Sequence, residues 1–218
     1  MHMTMGSETR RTVQRSMSIS KTMTQETHSP ANLPDSVSTV LLTGPSTGTR
    51  QATCASLFET DPDSDVLFVT YTQPPTDTLT RATRDRQGGT SEVTVIAIGD
   101  PASTPTEPTV QTQSVTAPSD LMSLGIALGS VLDSGKVLIC FDSLTTTLQY
   151  AEFSEVFEFL HAILGRIRAA GAHAHFHINP EAHDDDLVAA LTALFDARVD
   201  TEDELAVQVR PELRPPNG

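Results

Sequence analysis

The chain has no tryptophan, two tyrosines, two cysteines and only two lysines, Lys21 and Lys136, in 218 residues. So few aromatic and basic side chains leave neither a stacking platform nor a basic stripe for single-stranded nucleic acid. Cys54 and Cys140 belong to no CxxC pair, and Cys140, inside an apolar run, reads as a small core residue. Reduced thiols and a cytoplasmic location are therefore expected. There is no long apolar run, so no membrane span or membrane partner is expected. Residues 1–25 lack an apolar h-region, so no signal peptide is expected either.

Acid is what the chain does have. It carries 28 Asp and Glu against 14 Lys and Arg, for a formal net charge of −14. Such a surface repels phosphate backbones and argues against non-specific nucleic-acid binding. Acid excess, scarce lysine and abundant Thr, Asp and Ala together resemble the salt-adapted proteins of halophilic archaea. The charge then reports habitat rather than a basic partner. At molar salt the Debye length falls to ~3 Å, so long-range steering would be weak.

Residues 1–34 are polar and aperiodic, with Arg10, Arg11, Arg15 and Lys21 against Glu8 alone in the first 25. They read as a disordered basic tail, and 35–218 as one α/β domain. From Val37 strand and helix patterns alternate. Strands are expected at 37–43, 65–71, 92–98, 136–142 and 172–178, helices at 50–59, 74–86, 119–133, 153–170 and 184–196, and a strand pair over 198–210. In the fourth helix Phe153, Val156, Phe157, Leu160, Leu164 and Ile167 recur at helical spacing. The Pro- and Thr-rich stretch 99–118 reads as a long structureless loop. This order predicts a mainly parallel sheet with helices on both faces and a closing hairpin that adds antiparallel strands.

Two segments carry chemistry. Lys136-Val-Leu-Ile-Cys-Phe-Asp142-Ser143 reads as a buried strand delivering a carboxylate to the sheet's C-terminal edge, where open α/β sheets bind ligands. Gly44-Pro45-Ser46-Thr47-Gly48-Thr49-Arg50-Gln51 follows a strand and precedes a helix, as a phosphate loop does. Against G-x-x-x-x-G-K-[ST], the second glycine is one place early. Arg50 stands where lysine belongs, and Gln51 where a metal-binding hydroxyl belongs. Arginine keeps the charge but not the compact ammonium, and glutamine supplies no hydroxyl.

Together these segments resemble the KaiC/RadA-like branch of the RecA superfamily, over roughly residues 36–210, and more narrowly its short, degenerate haloarchaeal members. The resemblance implies a three-layer RecA-like fold with a C-terminal β-hairpin, and Mg-ATP as the cofactor, if any is bound. Its nucleotide site would comprise Gly44, Pro45, Ser46, Thr47, Gly48, Thr49, Arg50, Gln51, Asp142 and Ser143. KaiC-like ATPases carry glutamates after the second strand; here Thr70-Tyr71-Thr72-Gln73-Pro74 has no carboxylate to accept a proton. No catalytic residue is assigned. The expectation is a non-hydrolysing signalling or regulatory protein with weak or absent nucleotide binding, acting through an unknown protein partner or self-association. An unconventional NTPase is the alternative, and a recombination accessory protein the third reading.

His173, His175 and His177 lie on one face of the last parallel strand, with His183 soon after. Same-face residues are ~7 Å apart along a strand, long for sharing one ion. A row packed under a helix is therefore expected. A metal site on His175, His177 and His183 is the lesser reading.

Overall fold

The computed structural model describes residues 33–45, 53–54, 57, 64–71, 92–99, 110–133, 135–202 and 206–211. Expectations for the basic tail through residue 32, for 46–52 and for the helix at 74–86 fall outside them.

Apolar runs with no polar alternation can be buried on both faces, and they supply the middle of the sheet. The strands are β1 (Thr39–Thr43), β2 (Asp65–Thr70), β3 (Val93–Ile98), β4 (Val110–Val115), β5 (Val137–Asp142), β6 (His173–Ile178), β7 (Ala197–Asp200) and β8 (Ala206–Val209). They form one eight-stranded sheet in the order β4-β3-β2-β5-β6-β1-β7-β8. All neighbours are parallel except β7 and β8. β6 thus lies between β1 and β5, with Thr43 opposite Ile178 and Phe141 opposite Phe176. The parallel α/β sheet expected from the sequence is present.

Three details differ from the sequence reading. β4 lies inside the stretch read as structureless. Its residues Val-Gln-Thr-Gln-Ser-Val bury only their two ends, because an edge strand needs a partner on one side alone. The closing pair is antiparallel within itself, but β7 runs parallel to β1, so only β8 opposes the sheet. Residues 144–150, left unassigned, form a short helix.

Among the described residues, the helices are α1 (Leu121–Leu132), α2 (Leu144–Tyr150), α3 (Phe153–Ala169) and α4 (Asp185–Thr192). Three of the four starts are explained locally. Asp120 accepts from the Ser123 amide at 2.9 Å ahead of α1, and Ser143 accepts from the Thr146 amide at 3.3 Å ahead of α2. Glu152 and Glu155 form a reciprocal capping box at α3. Arg166 and Arg168 in the last turn of α3 complement its dipole. The buried face of α3 is Val156, Leu160, Ile163, Leu164 and Ile167, while Phe153 stays exposed. α4 ends at Thr192, four residues short of the expected helix.

Alternate sheet residues feed separate cores. Leu41, Leu67, Ile139, Phe141 and Phe176 pack with Leu128, Leu160, Leu164 and Leu191 of the helices. Val66, Phe68, Val93, Val95, Leu138 and Cys140 pack with Cys54, and Val40 and Leu42 with Leu57.

Candidate functional site

Parallel strands end on a common edge, and β1 and β5 present Gly44 and Asp142 there. The Gly44 amide donates to the Ile178 carbonyl at 3.1 Å, and the Tyr71 amide to the Asp142 carbonyl at 3.1 Å. These bonds tie the end of β1 to β6 and the end of β5 to β2 along one rim of the sheet. Asp142, the last residue of β5, is 9% exposed. Two strand spacings, roughly 10 Å, separate β1 from β5.

Gly44 adopts φ +146°, and a Cβ there would overlap the Thr201 hydroxyl. Thr201 is held in place: its amide and hydroxyl both donate to the Thr43 carbonyl, at 2.9 and 3.1 Å. The first glycine of the loop motif therefore has a packing reason of its own. Pro45 follows it; Ser46, Thr47, Gly48, Thr49, Arg50 and Gln51 lie outside the described residues, as does Gln73. Ser143 is buried and caps α2, its oxygen also 3.2 Å from the Thr146 hydroxyl. That hydroxyl is engaged in a structural role.

One pleat inward from Asp142, on the same face of β5, lies Cys140. Register places it directly opposite His175 on β6, and His177 is the next residue on that face. Cys54, in a helical segment, comes down on the same spot. The Cys54 sulfur lies 3.5 Å from the Cys140 sulfur and 3.0 Å from His175 Nε2. Cys140 Sγ lies 3.4 Å from His177 Nε2. The two imidazoles meet edge to face, 5.3 Å between centroids. One ligand atom from each of the four residues falls within 4.8 Å of the other three.

All four side chains are buried, at 2–4% exposure. A hydrogen bond from Cys140 holds the Cys54 thiol well below its ordinary pKa. Burial opposes this, and the neighbouring His175 reinforces it. Burial pushes His177 the other way, below the usual imidazole range, so it stays neutral. Its Nδ1 is buried without a hydrogen-bond partner among the described residues.

The histidine row is therefore split. His173 is exposed, its Nδ1–H donating to the Val37 carbonyl at 3.2 Å. His183 stands outside the group of four, its pKa lowered by burial against the pull of Asp184. The set is not the His175–His177–His183 trio of the sequence reading but two histidines with both cysteines. Strand spacing alone overstated the gap, because imidazoles lean toward a common point. The missed signal was the pairing of the Cys140 strand with the His175 strand, which neither segment reveals by itself.

The profile of DUF7504, a family of unknown function, matches residues 37–201. The chain belongs to this family. The matched span runs from the residue two before β1 to the residue after β7, so Gly44, Asp142 and the Cys/His group all fall within the DUF7504 region. A search among curated proteins finds no match. The chain is similar in fold to a solved protein of Pyrococcus horikoshii OT3, the subject of a structural study under Project ID PH0250. Identity is 11% and the TM-score 0.54, over 83% of this chain and 91% of that one. At that identity the likeness concerns the fold alone.

Proposed function

We propose that this member of DUF7504 is a non-hydrolysing regulatory protein on a RecA-type, KaiC-like scaffold, with weak or absent nucleotide binding. The observation that carries the reading is the common rim: the Gly44 turn and the Asp142 carboxyl end are brought to one sheet edge by the parallel register of β1, β6 and β5. Helical residues reach sheet residues of both parities, α1, α3 and α4 in one core and Cys54 and Leu57 in the others, which supports a three-layer arrangement.

The groups that would polarise and split a terminal phosphate are missing from the sequence. Arg50 and Gln51 replace the lysine and the metal-binding hydroxyl, and no glutamate follows β2. Ser143, the hydroxyl beside Asp142, caps a helix instead. Loss of a base and of a charge clamp each removes orders of magnitude in rate. The rim then serves as a recognition surface for a protein partner or a second copy of the chain. A cytoplasmic setting is part of the proposal; no described helix is long and apolar enough to cross a membrane.

Calorimetry with Mg-ATP in molar KCl tests this, on the wild type, Asp142→Ala and Arg50→Ala, alongside phosphate release. Little or no heat and no turnover above background are expected. Brisk phosphate release by the wild type alone, abolished by Asp142→Ala, would establish the NTPase reading instead.

A further inference from the structure

We propose that Cys54, Cys140, His175 and His177 form a closed four-ligand zinc site, one per chain, buried beneath the sheet edge that carries Asp142. The argument is independent of the nucleotide reading, and either can fail without the other.

Geometry comes first. Zinc takes sulfur at ~2.3 Å and imidazole nitrogen at ~2.0–2.1 Å in a tetrahedron, whose edges are then ~3.8 Å between sulfurs and ~3.5 Å between sulfur and nitrogen. The observed edges are 3.5 Å for the sulfur pair and 3.0 and 3.4 Å for the two sulfur–nitrogen pairs. Three of the six edges thus lie within about 0.5 Å of a Cys2His2 tetrahedron, and the other three are no longer than 4.8 Å. An S2N2 donor set in that shape selects zinc among common divalent ions.

Charge points the same way. Two thiolates and two neutral imidazoles around Zn²⁺ sum to zero, so the loaded unit carries no net charge into the surrounding core of Val66, Phe68, Val95 and Leu138. Binding would release the thiol protons of Cys54 and Cys140 to solvent.

Position gives the site its meaning. All four coordination places are filled by protein, which marks a structural centre rather than a catalytic one with an open place for water. The ion would join β5 and β6 to the helical segment bearing Cys54, three residues beyond Gln51 in sequence. The chain leaving the 44–51 segment would thus be fastened under the same rim, so metal loading would set the stiffness of that edge.

The test uses the full-length protein purified without chelator, with zinc counted per chain by plasma mass spectrometry. Zinc-stripped protein is then titrated with Co²⁺ and followed by absorbance. One equivalent is expected, with thiolate-to-cobalt charge transfer and the intense visible bands of tetrahedral cobalt, both erased by added zinc. Cys140→Ser and His177→Gln should weaken zinc by at least the ~10–100-fold that losing even an outer partner costs, whereas His173→Gln and His183→Gln should leave it unchanged. Should a ligand variant not fold, the wild-type cobalt spectrum decides. Less than a tenth of an equivalent, a pale octahedral spectrum, or binding unmoved in Cys140→Ser would each overturn the proposal. So would a thiol count showing Cys54 and Cys140 joined as a disulfide in the isolated protein, since no thiolates would remain to bind the ion.

Discussion

Arg168 on α3 and Asp196 just before β7 meet at 2.9 Å between Nη2 and Oδ1, the carboxylate side chain only 5% exposed. Around this pair the start of β1 is fixed. Asp196 Oδ2 accepts from the Ser38 and Thr39 amides at 3.2 and 3.0 Å and from the Thr39 hydroxyl at 2.9 Å. Arg168 also donates to the Leu194 carbonyl at 2.7 Å.

Asp196→Ala should therefore lower the unfolding free energy by about 3 kcal/mol, the low end for breaking a buried pair, because Arg168 is one-third exposed. The pH dependence has a definite sign. Burial raises the Asp196 pKa, but the bonds from Arg168 and Thr39 outweigh it and hold the group below its ordinary value. Its stabilisation is thus complete above the unfolded carboxylate pKa of about 3.9 and is lost as pH falls through the lowered folded value. Urea unfolding from pH 7 down to pH 2 should show Asp196→Asn converging on wild type at the acid end. A constant gap between the two would contradict the assignment.

Gly44→Ala meets two obstacles, the positive φ and the Thr201 hydroxyl. About 1–3 kcal/mol of destabilisation is expected from the backbone alone, with steric overlap added. In a double-mutant cycle, Thr201→Ala should recover the overlap but not the backbone part. Additive costs would show that Thr201 does not crowd this position.

Phe141 and Phe176 stack with centroids 5.0 Å apart and planes 21° from parallel, both fully buried between β5 and β6. Each Phe→Ala change should cost about 3–5 kcal/mol. The pair should fall short of additivity by about 0.5–1.5 kcal/mol, the share owed to the rings' mutual contact. Chemical denaturation of the two single variants and the double variant measures it.

Much of the sheet was legible because its inner strands are uninterrupted apolar runs; β1, β2, β3, β5 and β6 lie where the sequence placed them. β4 was not, because Gln111-Thr-Gln-Ser114 carries no such run and is ordered by pairing with β3. Nor was α2, whose three threonines have low helix propensity and which rests on the Ser143 cap and tertiary packing. The Asp142 edge position followed from its strand. The Cys/His group was legible only in part: the strand period put His175 and His177 on one face, but nothing local says that Cys140 lies across from them or that Cys54 descends onto the same point.

The strand order imposes a length on whatever the rim recognises. With β6 wedged between β1 and β5, the Gly44 turn and the Asp142 carboxylate are two strands apart, and the end of β6 at Ile178 and Asn179 forms the ground between them. A single small ion held at either station would not span the roughly 10 Å between the two strands. Only an elongated guest, or a protruding loop from another protein, would read the two together.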